Sequence, residues 1–331
     1  MKLKHLILLF FIVSGFCSHA QVLRQRSVTL MGSRFDFTIV AGDTTEADAY
    51  IELAIAEVRR IENLISDWRP ETQVSEINRN AGIRPVKVDQ EVFELTERAL
   101  EFSKITKGAF DISFAAMDRV WKFDGSMKEM PSHEAIKKSV SNVGYKNVIL
   151  DKVTRTVFLK QRGMKIGFGA LGEGYAADKC RDMMIARGVQ AGIVNGSGDM
   201  STWGRKPNGE NWKIGVTNPI DNNKLFAILT LKEEAAVTSG SYEKYVVFNG
   251  KRYAHIINPK TGYPASGLSS VTVIGPGAEF ANGLSTSVMV LGAKKGLRLV
   301  NLFPGYRAIL INDRGSVKYS RDFDAMGIIL Q

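Results

Sequence analysis

The 331-residue chain holds few of the residues that usually carry metal or thiol chemistry, with two cysteines and four histidines. Cys17 lies in an amino-terminal apolar stretch; once that stretch is removed Cys180 stands alone, so the mature chain has no internal disulfide. No histidine pair, cysteine pair or HExxH spacing occurs, which argues against a zinc site. Long apolar runs are missing as well. The longest, Leu6 to Phe16, has 11 residues, short of the roughly 20 that a spanning helix needs. There is no basic run with interleaved aromatics, so nucleic acid is not an expected partner. Repeats, low-complexity tracts and an interdomain linker are also lacking, and a single domain over 21–331 is expected.

Lys2 and Lys4 precede the apolar run and Ser18, His19 and Ala20 follow it, the pattern of a secretory signal peptide (1–20) cut after Ala20. The mature chain is therefore expected in the periplasm. Cys17 leaves an alternative, a membrane-anchored lipoprotein, although Phe16 is a poor residue before a lipidated cysteine. At 44% hydrophobic content the chain can bury one large core or two smaller ones. Loss of Lys2 and Lys4 takes the formal net charge from +10 to about +8, a balance that suits anionic ligands such as nucleotides and equally keeps a protein soluble.

Alternation over 28–40 predicts a half-buried strand. A helix capped by Thr44 or Thr45 follows, with Ile51, Ala54, Val58, Ile61 and Ile65 down one face. Asp89 begins a second helix, closed by Gly108, and Ser132 a short third. Paired strands are expected over 147–160, a strand end at 164–168, and a helix over 175–187 closed by Gly188. Short strands then dominate: 190–195, 212–217, 225–232, 244–249, 252–257 and 269–275. A helical pair over 280–301 and a hairpin near Asn312 to Gly315 complete the chain. Helices and strands segregate more than they alternate, so the expected class is α+β with mixed, largely antiparallel sheets flanked by helices.

The stretch GFGALGEGYAAD, residues 167–178, contains a GxGxxG at Gly167, Gly169 and Gly172. That spelling marks a dinucleotide pyrophosphate only after a strand, before a helix, and with an acid about twenty residues on. Here the next strand ends at Asn195 and Gly196, and Glu173 inside the turn would repel a pyrophosphate. These features argue against a nicotinamide dehydrogenase. Three further clusters of small polar residues stand at NGSGDM (195–200), TSGSYEKY (238–245) with HIINPKTGYP (255–264), and ANGLSTSVMVLG (281–292). Singly, each reads as ordinary turn chemistry. His255 beside Asn258, Pro259, Thr261 and Gly262 is different: a strand running into a rigid turn fixes an imidazole, which makes His255 a general-base candidate.

With MGS at 31–33, Trp68, and TKGAFDIS at 106–113, the order and spacing of these clusters resemble the FAD:protein FMN transferase family, often called the ApbE family, over residues 28–323. The resemblance implies an ApbE-like α+β fold. It also implies FAD as substrate, Mg²⁺ on its pyrophosphate, and transfer of the FMN half to a Ser or Thr hydroxyl of an acceptor protein of a flavin-dependent redox system, with release of AMP; some members instead hydrolyse FAD. Carried over by motif, the backbone carbonyl of Ala170 with Asn282, Ser285 and Thr286 would hold the metal, which prefers hard oxygens. Met31, Trp68, Ala109, Phe110 and Asp111 would line the FAD site, with Asn78 or Asn80 near the flavin or its phosphates. Asp199, Thr238, Ser239 and Ile257 would hold the nucleotide or shape the pocket, and His255 would take the acceptor's proton. Trp68 and Phe110 read equally as core residues, and Cys180 as a small core residue.

Three positions depart from the family pattern: Asn282 where an Asp is usual, Glu173 where a Lys is usual, and Gly167 where an Asp is frequent. An amide brings no charge to a metal, so the hypothesis is that Glu173 supplies the carboxylate that Asn282 lacks. A second function stays open, an FAD-binding or carrier protein, or an FAD pyrophosphatase, on the same fold with weakened transferase chemistry.

Overall fold

The computed structural model describes residues 21–330 except positions 222, 243, 322 and 324–328; the expected signal peptide, with Cys17, lies outside the described residues. The frame is an eight-stranded antiparallel sheet in the order β1 (Val22–Leu30), β2 (Ser33–Ala41), β6 (Ala191–Gly196), β7 (Asp199–Trp203), β10 (Ala235–Gly240), β13 (Leu268–Gly275), β14 (Arg307–Asn312) and β15 (Val317–Tyr319). Smaller sheets comprise β3 (Val86–Lys87), β5 (Thr156–Leu159) and β4 (Val148–Asp151), then β16 (Ile329–Leu330), β9 (Leu225–Leu231) and β8 (Trp212–Thr217), and a ribbon of β11 (Tyr245–Phe248) with β12 (Lys251–Ala254).

Three long helices lie along one face of the main sheet: α1 (Thr44–Ile65) over β1 and β2, α5 (Gly172–Ala186) over β6 and β7, and α6 (Ala278–Val300) over β10 and β13. Between them run α2 (Gln73–Arg79), α3 (Gln90–Ile105) and the short α4 (His133–Ser139). Side chains alternate across a strand, so Val237, Val271 and Val273 join the helix-side core while Ala236, Ile274 and Ile309 pack against Val216, Ala227 and Leu229 of the β8–β9 sheet. Covered on both faces, β13 is buried at every residue. The α+β class is as expected.

Several local expectations change. The strand at 28–40 is a hairpin, because Met31 and Gly32 both take left-handed φ, 53° and 75°, and make the two-residue turn that matches strand twist. Asp43, not Thr44 or Thr45, caps α1 by accepting the Glu46 N–H at 2.8 Å. NGSGDM is a hairpin too, with Ser197 and Gly198 at its left-handed turn, so its glycines and serine concealed β7. The TSG segment lies within β10, and a further short helix, α2, is capped by Thr72, which accepts the Ser75 N–H. Residues 164–168 form no strand. The helix expected at 175 starts at Gly172, and the 280–301 pair is α6 broken at Gly292, where φ is 73°.

One contact places the future site. A Cβ on Gly174 would lie 2.5 Å from the carbonyl oxygen of Ala278, so only glycine lets α5 approach the start of α6 this closely. One turn on, Asp178 accepts the N–H groups of Ala278 and Glu279 at 2.9 Å each, capping a helix whose own N-cap, Gly277, has no side chain to do so. Gly174→Ala should destabilise the fold by about 3 kcal/mol through overpacking, read as a lowered midpoint in urea unfolding; an unchanged midpoint would mean that the two helices yield freely.

Candidate functional site

Where the amino ends of α5 and α6 meet the ends of β7 and β10, the chain encloses a cavity of about 370 Å³. All four polar clusters reach it. Asp199 opens β7, Thr238 and Ser239 come from β10, Asn282 and Thr286 from the first turns of α6, and Gly167, Gly169, Ala170 and Glu173 from the glycine turn. Ala109, Phe110 and Asp111 form another wall, Trp68 a rim, and His255 and Ile257 enter from the segment after β12. An annex of about 160 Å³, lined by Met31, Trp68, Phe168 and Glu173, adjoins it, so Met31 faces the annex and not the main space.

The polar groups are largely engaged. Asn282 Nδ2 donates to Asp199 Oδ2, and Thr286 Oγ1 lies 3.5 Å from Asn282 Oδ1, so the amide oxygen is turned toward the threonine hydroxyl. Ser33 Oγ donates to Glu173 Oε1 at 2.5 Å, tying the β1–β2 turn to the start of α5. Asp111 lines the cavity while accepting from Ser113 N (2.9 Å), Ser113 Oγ (2.6 Å) and Tyr145 N (3.1 Å), so its carboxylate mainly organises the adjoining loop. Phe110 is both core and wall, edge-on to Phe102 with centroids 5.4 Å apart. Trp68 is 62% exposed, which removes its reading as a core residue. Thr238 pairs across the sheet with Thr272 at 2.8 Å.

Histidine 255 is half-buried. Its Nδ1 lies 3.3 Å from the Lys244 carbonyl oxygen, which can only accept, so Nδ1 carries the proton and Nε2 is left as the basic nitrogen. Burial, aided by the Lys244 charge, lowers its pKa, and the carbonyl contact opposes that in part. The following turn is braced by Trp121, whose indole N–H donates to the Gly262 carbonyl at 2.8 Å.

Three expected residues lie elsewhere. Asn78 exchanges two hydrogen bonds with the backbone of Ile166, at 3.0 and 2.8 Å, holding residues 164–168 as a partner strand would; it does not reach the cavity. Asn80 donates to the Glu76 carbonyl at 2.9 Å and closes α2. Ser285 is fully buried behind the wall, bonded to Ser239 Oγ at 2.8 Å and to the Asn282 carbonyl, so it joins α6 to β10 and is not placed to ligate a metal. Cys180 is a buried core residue whose thiol pKa is pushed up by burial, as expected for an inert thiol. Gly240, Ile256 and Pro259, from the TSGSYEKY and HIINPKTGYP clusters, also line the cavity, as do three residues that no motif signalled, Asp67, Phe114 and Ala115. Adjacency to Trp68 was the only sign of Asp67 in the sequence.

Asn282→Asp would set two carboxylates together where an amide now donates to one. The variant should melt roughly 2 °C lower in chelator, corresponding to about 1 kcal/mol, and recover or exceed the parent in millimolar Mg²⁺ by differential scanning fluorimetry. Equal melting in both conditions would show that residue 282 does not feel a cation.

Known proteins give the same picture. The pattern of the ApbE family matches residues 31–310. A protein of Klebsiella pneumoniae strain 342 named FAD:protein FMN transferase is 34% identical over 272 residues, covering 82% of this chain and 83% of that one. Among solved structures, the ApbE protein of Thermotoga maritima superposes with a TM-score of 0.83 at 30% identity, over 92% of this chain and 98% of that one. The apo form of the Pseudomonas stutzeri flavinyl transferase ApbE gives 0.80 at 28% identity, over 92% and 96%. On its matched span and its fold, this chain belongs to the ApbE family.

Proposed function

We propose that this chain transfers the FMN half of FAD to a Ser or Thr hydroxyl of an acceptor protein. The observation that carries the reading is His255, with its basic Nε2, in one cavity with Asp199, Asn282, Thr286 and the glycine turn, residues that lie as far apart in the chain as Gly167 and Thr286. The names of the relatives support it, the Klebsiella protein as an FAD:protein FMN transferase and the Pseudomonas protein as a flavinyl transferase.

The donors present suit a magnesium ion. Ala170, Asn282 and Thr286 bring carbonyl, amide and hydroxyl oxygens to the same cavity, and Glu173 and Asp199 add carboxylates. Magnesium, when bound there, would supply positive charge to the substrate pyrophosphate. The residues do the rest. Nε2 of His255 takes the acceptor hydroxyl proton as that oxygen bonds to the flavin-side phosphorus; the pyrophosphate P–O bond breaks and its electron pair leaves with AMP. Water in place of the hydroxyl gives FMN and AMP, the pyrophosphatase outcome. The alternative of an FAD-binding or carrier protein draws its support from the neutral Asn282, already bonded to Asp199. The signal-peptide pattern of residues 1–20 supports a periplasmic reaction that serves a flavin-dependent redox partner. Among the described residues, no helix is long and apolar enough to cross a membrane.

Incubating the mature chain with FAD, Mg²⁺ and a Thr-containing acceptor domain should add the mass of FMN to the acceptor and release AMP, and His255→Ala should lower the rate by about 10² to 10⁴-fold. FAD bound with neither transfer nor hydrolysis would establish the binding-protein reading. Because the folded-state pKa of His255 is lowered, its base form persists below the usual imidazole value of 6.5. The acid limb of kcat/KM should therefore fall below pH 6.5 and be missing from the residual rate of His255→Ala. A limb above pH 6.5 would assign it to another group. If Glu173 supplies charge to the metal, Glu173→Gln should raise the Mg²⁺ concentration for half-maximal rate by about tenfold, about 1.4 kcal/mol; an unchanged requirement removes it from that role.

A further inference from the structure

Four carboxylates line the cavity: Asp67, Asp111, Glu173 and Asp199. Asp111 is held by backbone and hydroxyl donors, Glu173 by Ser33, and Asp199 by Asn282. Asp67 differs. Among the described residues no other side chain hydrogen-bonds or ion-pairs with it; its own backbone N–H donates to it, and Arg119 and Lys165 act on it only as nearby charges. Half-buried in a wall, such a group lacks the partner that buried carboxylates normally have.

The surroundings keep it accessible. A Cβ on residue 167 would lie 3.2 Å from Asp67 Oδ2 and 3.0 Å from the Ala115 methyl, so a side chain at this position would crowd the carboxylate that the glycine leaves uncovered. Trp68, the next residue, is 62% exposed and shares both the main cavity and the annex with Asp67. A carboxylate repels a pyrophosphate, so this corner suits an uncharged, donor-bearing part of a dinucleotide. An exposed indole beside it suits a flat ring.

We infer that Asp67 is a specificity-determining residue that accepts a hydrogen bond from the N–H edge of one of the two ring systems of FAD, with Gly167 keeping the approach open and Trp68 offering that ring an apolar face. The inference rests on FAD being the substrate. Both rings carry the required chemistry, the isoalloxazine as a ring N–H and the adenine as an amino group.

The test is equilibrium binding of FAD, FMN and AMP to the mature chain in Mg²⁺ buffer without acceptor, by flavin fluorescence or calorimetry. Asp67→Ala and Asp67→Asn should each weaken FAD by about tenfold or more, the loss of one charge-assisted hydrogen bond. The same loss for FMN with AMP unchanged assigns the flavin ring, and the reverse assigns adenine. Asp67→Gly combined with Gly167→Asp returns a carboxylate to the corner from the neighbouring backbone and should recover FAD affinity to within about threefold of the parent, about 0.7 kcal/mol. FAD affinity within about twofold of the parent in Asp67→Asn, the variant that keeps the side-chain shape, would overturn the inference, as would failure of recovery in a double variant with parental melting. Failure of the parent itself to bind FAD would overturn the proposed function instead.

Discussion

The site depends on how closely α5 meets α6. Gly174 admits the Ala278 carbonyl to a distance no side chain would tolerate, and Asp178 closes the contact by capping α6 through two backbone N–H groups. The glycine turn precedes this contact along α5, and Asn282 and Thr286 follow it along α6. Locking the two helix starts together therefore brings Ala170 and Glu173 to the same cavity as Asn282 and Thr286, although more than a hundred residues separate them. Ser285, bonded to Ser239, fixes the other side of α6 to β10, so the helix cannot rotate its polar face away from the cavity.

Three of the four cavity carboxylates are held by the protein itself. Asp199 receives an amide proton from Asn282, Glu173 receives a hydroxyl from Ser33, and Asp111 is satisfied by its own loop. These contacts offset the cost of confining carboxylates in one small space. An amide at Asn282 in place of a carboxylate has a local physical consequence: one negative charge fewer beside Asp199, and a hydrogen bond where two carboxylates would repel. His255 is set up differently. The Lys244 carbonyl selects its tautomer and burial keeps it neutral, so its remaining nitrogen is a base at ordinary pH without an acidic partner.

The helices were legible because each repeats its apolar residues at the helical period over many turns; Ile51, Ala54, Val58, Ile61 and Ile65 are all buried, as their spacing requires. The family and most cavity residues were legible because several short motifs occurred together in a fixed order. Met31 and Ser197 were harder. Neither is glycine, yet both adopt left-handed backbone, and each turned an apparent single segment into a hairpin. Asn78 and Ser285 look like site residues by motif because their amide and hydroxyl suit a ligand; in the fold those same groups are consumed by Ile166 and Ser239.

The sequence by itself determined the α+β class, the long helices, the lone buried cysteine and the set of polar clusters, since each follows from local periodicity, composition or motif order. Only the tertiary structure decided which members of those clusters meet. Whether a polar group faces a cavity or a neighbouring backbone depends on partners distant in the chain, and so a lone Asp67 with no motif enters the wall while Asn78, Asn80 and Ser285 leave it.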